Sequence, residues 1–105
     1  MSDYIIKLET LHTAQRLIGV ACKAWEERWD YKAERNVAAA RMVLRLAFKG
    51  TSPIVFLVSF TLGAIKAGEE SGKRRSGTYA LKELAEALDE VVIAKSADAG
   101  GKNEL

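Results

Sequence analysis

His12 is the only histidine of this chain and Cys22 its only cysteine. Nucleophilic catalysis needs a nucleophile within hydrogen-bond reach of a base, itself oriented by a third group. His12 and Cys22 fall on different faces of one helix, so they do not meet within it. The acidic neighbours Glu26-Glu27 and Glu69-Glu70 point in different directions on a helix or loop, and neither makes a convergent acid–base pair. One histidine and one cysteine are too few for a metal-ligand cluster, and neither Gly-x-Gly-x-x-Gly nor a Walker A loop occurs. These residues predict no enzyme, no cofactor and no metal. His12 reads as a polar-face residue, and Cys22 as a small hydrophobe whose thiolate is disfavoured on an apolar stripe.

Binding chemistry is better supplied. Trp25 and Trp29 are one helical turn apart and Tyr31 follows, so three aromatics gather at one corner beside Glu26, Glu27 and Asp30. They either plug the end of a bundle or form a protein-binding hot spot, since Trp and Tyr give much contact area at low entropic cost. The basic candidates are Arg35, Arg41, Arg45 and Lys49, with Lys73, Arg74 and Arg75 further on. Arg41, Arg45 and Lys49 recur at i, i+4 and i+8, a row that with Arg16 and Lys23 nearby would suit phosphates. Against nucleic acid stand a net charge of only +2 and the absence of aromatics between the basic residues.

The charge is divided along the chain. Residues 31–52 carry five positive and one negative charge, whereas residues 78–105 carry three positive and six negative. Such asymmetry bears on partners, and the acidic end would repel a polyanion. Residues 81–88 are similar to the first helix of many helix-turn-helix motifs. No tight turn and recognition helix follow them, and plain amphipathic helices share that periodicity.

Helices must position these groups. Tyr4, Leu8, Leu11, Ala14, Ile18, Ala21, Cys22, Trp25 and Trp29 recur at spacings of three and four, which predicts a long first helix over about 3–29, the alternative being an extended opening with Thr10 or Thr13 capping a shorter helix. No glycine or proline divides it from a second helix over 31–49, closed by Gly50, so the two could be continuous. A turn near Asp30 is favoured because a helix of about 45 residues would be unusual in so short a chain. Ser52 and Pro53 are the strongest start signal, an N-cap type followed by the residue that suits the first helical position. The third helix, 53–67, stops near Gly68, and being apolar all round it is expected to be the central, most buried element. Its β-branched residues make a buried strand the competing reading, against which the cap and the lack of a second strand decide. Ser59 and Gly63, small and four apart, would let another helix pack close. Residues 69–77 contain no apolar side chain and read as a solvated loop. A fourth helix spans 78–94, with a flexible tail over 95–105.

With 105 residues, 49% of them apolar and 29% charged, the chain has room for one globular domain. The expected fold is an all-α, compact four-helix bundle-like single domain over 1–94. Residues 54–65, the most apolar stretch, are too few to span a bilayer, which needs about 20. The start Met1-Ser2-Asp3 shows no leader pattern, so a reducing cytoplasmic location is expected. A surface-bound membrane role is disfavoured, because the basic residues do not lie opposite an exposed apolar face. The function expected is a small non-catalytic protein acting through protein–protein contacts, an adaptor, regulator or inhibitor, with a homodimer suggested by the long first helix. By analogy of class alone, phage- or plasmid-encoded inhibitors fit the description. The alternative is a nucleic-acid-binding accessory protein using the basic helix face and the 73–75 loop.

Overall fold

Apolar residues recurring at spacings of three and four give each helix a stripe to bury, and four such stripes can be buried together around a common axis. The computed structural model describes residues 3–48, 52–72 and 74–104. It contains α1 (Asp3–Glu26), α2 (Asp30–Ala47), α3 (Pro53–Ser71) and α4 (Arg74–Glu104), with no strand among the described residues. The fold is the expected all-α four-helix bundle. α1 packs on α2 and α4, and α3 packs on the same two, while no Cα atoms of the diagonal pairs α1/α3 and α2/α4 come within 8 Å of each other among the described residues. The result is a square bundle, 52 × 24 × 18 Å.

Leu11, Ile18, Leu44, Ile65, Leu84 and Leu88 are fully buried on the axis, each contributing about 1.5–3 kcal/mol by leaving water. Alanines at 14, 21, 24, 33 and 40 let α1 and α2 approach closely. Thr61, the buried polar residue of this core, donates its hydroxyl hydrogen to the Leu57 carbonyl at 2.9 Å and lies 3.4 Å from that of Ala80. Its hydroxyl therefore leaves no polar atom unsatisfied. Between helices, Gln15 donates to Asp89 at 2.7 Å, and Lys66 lies 4.0 Å from Glu34.

Several boundaries differ from expectation. α1 and α2 are separate, but α1 ends at Glu26, in a turn built by Arg28 in the left-handed region (φ 65). The Trp29 and Arg28 N–H groups bond the carbonyls of Ala24 and Trp25, the double closure of a Schellman turn. α3 starts at Pro53 as expected, yet the Ser52 hydroxyl makes no capping bond; the Ser52 carbonyl accepts from Val55 and Phe56 instead. Gly68 does not stop α3. It is buried, in register with Thr61 and Ile65, and the helix runs on to Gly72, whose φ of 75 suits a residue without a side chain. α4 begins at Arg74 and continues to Glu104, past the tail expected from Lys95, so at 31 residues it exceeds the 24 of α1. Gly50 as a cap lies outside the described residues.

The largest correction concerns α3. Having no wholly buried position in a square bundle, it presents one face outward, and Phe56 and Phe60 on that face are 63% and 69% exposed. A helix that is apolar all round is central only where a centre exists.

Candidate protein-binding site at the α1–α2 corner

Arg74 organises the corner. Its guanidinium carbon lies over the Trp25 ring, 4.0 Å from the centroid. One nitrogen, Nη1, donates to Asp30 Oδ1 at 2.5 Å, and Nη2 donates to the Trp25 carbonyl. That carbonyl belongs to the last turn of α1, where helix carbonyls lack intrahelical partners and favour a cation. A planar, forked cation can stack and bond two acceptors at once, which lysine cannot do. Trp25 is thereby locked. Its Nε1–H donates to Thr78 Oγ1 at 3.0 Å, and the Thr78 hydroxyl donates to the Arg74 carbonyl at 3.1 Å. A Cβ on Gly77 would sit 2.6 Å from the Trp25 ring, so this glycine is the space the ring occupies.

The three aromatics expected together therefore separate into two kinds. Trp25, 2% exposed, is core and cannot meet a partner. Trp29 and Tyr31 are 63% and 71% exposed. Trp29 stands between two shallow clefts. One, about 330 Å³, runs between α1 and α2 and is lined by Val20, Lys23, Ala24, Glu27, Trp29 and Lys32. The other, about 520 Å³, includes Tyr31, Arg35, Asn36 and Ala39. Lys32 Nζ lies 6.0 Å from the Trp29 ring centroid and Arg35 Cζ 5.8 Å from that of Tyr31, so each exposed ring has a cation beside it.

The basic residues do not form one surface. Arg74 is three-quarters buried and committed to Asp30 and Trp25, a structural role in place of the loop position expected for it. Arg75 is exposed on the first turn of α4. Arg35 belongs with Tyr31. Arg41 is half-buried and Arg45 exposed on α2, on the flank that turns toward α3, while Lys49 and Lys73 lie outside the described residues. Lys32 was missed because it falls off the i, i+4 row. Its signal in the sequence is the i+3 spacing from Trp29.

His12 is exposed, its Nδ1 3.1 Å from Gln15 Oε1. Cys22 is half-buried, and burial, with Glu26 nearby, pushes its thiol pKa up. Among the described residues no three His, Cys, Asp or Glu side chains gather as a metal site, and no helix is long and apolar enough to cross a membrane. Compared with protein-family models, curated proteins and solved structures, the chain matches none.

Proposed function

We propose that the protein is a non-catalytic binding module that uses the α1–α2 corner to occupy the surface of another protein. The observation that carries this reading is the exposure of Trp29 and Tyr31 on a turn held rigid by Arg74. Large aromatics displayed at low entropic cost are the usual anchors of interface hot spots. Arg28 adds to it, because a non-glycine residue in the left-handed region costs about 1 kcal/mol, and such strain clusters at working sites. Lys23, Lys32 and Arg35 around the rings favour a partner segment that pairs acidic side chains with an apolar one.

The test is a photo-crosslinking amino acid at position 29, used in an extract of the source cells, with products identified by mass spectrometry. One dominant protein adduct is expected, suppressed by excess unlabelled wild type but not by Trp29→Ala/Tyr31→Ala. Equal suppression by the double variant would overturn the reading. The nucleic-acid alternative has lost Arg74 to the corner and retains Arg41 and Arg45. Titration with labelled duplex DNA and single-stranded RNA measures it. Salt-steep binding abolished by Arg41→Glu/Arg45→Glu would put that alternative first.

A further inference from the structure

The outward face of α3 carries large residues in its first half and small ones in its second. Phe56 and Phe60 are followed by Gly63 and Ala67, all exposed and all on one stripe at spacings of four, three and four. No atom lies within 4 Å of a Cβ placed on Gly63, so no helix of this chain uses the close approach that a glycine permits. The pairs Phe56/Ala67 and Phe60/Gly63 are centred on the same point, between Thr61 and Leu62. A twofold axis through that point, perpendicular to α3, sets a second α3 antiparallel on the first. Each phenylalanine then meets a small residue, Phe60 over Gly63 and Phe56 over Ala67 of the second copy. We infer that the α3 face is a self-complementary interface and that the protein pairs with a second copy of itself through it.

Charge fits the same orientation. The Glu34–Lys66 contact sets the register of α2 against α3, and eleven residues on, Arg45 comes level with Val55. The axis brings the far end of the second α3 to that level, so exposed Arg45 faces exposed Glu70 of the second copy, twice in the dimer. A parallel pairing would set phenylalanine against phenylalanine and leave these charges at opposite ends. On the α4 side, Thr61 near Ala80 places Tyr79, 65% exposed, level with the axis. There Phe60, Ala64 and Tyr79 border a cleft of about 450 Å³.

The area suffices for a modest dimer. At about 200 Å² per aromatic side chain, the exposed fractions of Phe56, Phe60 and Tyr79 leave about 400 Å² per copy before the small residues and the rim are added. A specific interface needs about 500 Å² per copy and a standard one about 800 Å². The expected pairing is therefore weak and concentration-dependent. It leaves both α1–α2 corners open, at opposite ends of the dimer.

Sedimentation velocity across micromolar concentrations, with circular dichroism as the check on folding, tests the inference. Wild type should approach twice 11.5 kDa. Gly63→Leu fills the space that Phe60 of the second copy needs, yet starts from an exposed position where a Cβ meets nothing and improves helix propensity. It should raise the dissociation constant roughly tenfold or more while keeping or raising the thermal midpoint. Arg45→Glu should weaken pairing, and Arg45→Glu/Glu70→Arg should restore it. A protein that stays monomeric throughout, or a dimer indifferent to both Gly63→Leu and the charge exchange, would overturn the inference.

Discussion

Replacing Arg74 by alanine removes three contacts at once, and their sizes can be worked from the geometry. Hydrogen bonds involving a charged partner are worth about 1.5–3 kcal/mol when dry. Here the Arg74 and Asp30 side chains keep 24% and 32% of their exposure, so solvent screening lowers each bond to about 1 kcal/mol. Stacking on Trp25 at 4.0 Å adds about 0.5–1 kcal/mol. The expected loss is about 2–3 kcal/mol, which for a domain of this size lowers the midpoint by about 10 °C or more. Arg74→Lys keeps the charge without the fork or the plane and should recover less than half of the loss. Arg75→Ala, one residue on and exposed, should be nearly neutral. Urea denaturation followed by far-ultraviolet circular dichroism measures all three. If Arg74→Ala falls within about 0.5 kcal/mol of wild type, or lysine substitutes fully, the clamp does not hold the corner.

Gly77→Ala should destabilise by about 1 kcal/mol net, because crowding the pinned Trp25 ring outweighs the gain in helix propensity. Unfolding midpoints in urea decide the sign, and a stabilised variant would mean the ring can move aside. Arg28→Gly should stabilise by about 1 kcal/mol by relieving the left-handed strain, while weakening partner binding if the arginine side chain takes part. Calorimetry reads the first effect and titration the second. Loss of surrounding water, then the carboxylates of Glu34, Asp30 and Glu70, push the Glu69 pKa up, with Lys66 opposing. The folded state thus holds that proton more tightly than the unfolded chain, whose value is near 4.5, so stability from this group is present at acid pH and lost as pH rises past it. Glu69→Gln should therefore be slightly more stable than wild type at neutral pH and no different well below pH 4.5; a gap of the opposite sign would refute it.

Periodicity made the four helices legible, because a stripe recurring at three and four must face a core whatever lies beyond it. Ser52 and Pro53 located the start of α3 through the backbone angle that proline imposes, even though the serine hydroxyl does no capping. Two things were not legible, both for reasons of long-range geometry. Residues 69–77 lack apolar side chains and looked like loop, yet Arg74 and Gly77 are helical because they complete Trp25, a residue some fifty positions earlier. The uniformly apolar α3 looked central because sequence does not reveal whether four helices surround a fifth position or only each other. For the corner, the aromatic cluster was visible, but the division into buried Trp25 and exposed Trp29 depends on where α1 ends. Arg28 fixes that end by a backbone conformation no propensity favours.

Whether the α1–α2 corner binds another protein is decided by titrating the partner crosslinked from position 29 with wild type and Trp29→Ala, alongside thermal unfolding of both. A dissociation constant at least about tenfold weaker is expected for the variant, as for a hot-spot residue, with the thermal midpoint almost unmoved because Trp29 is 63% exposed. Unchanged affinity, or a midpoint lowered as far as by Arg74→Ala, would contradict it and return Trp29 to the structural framework of the bundle.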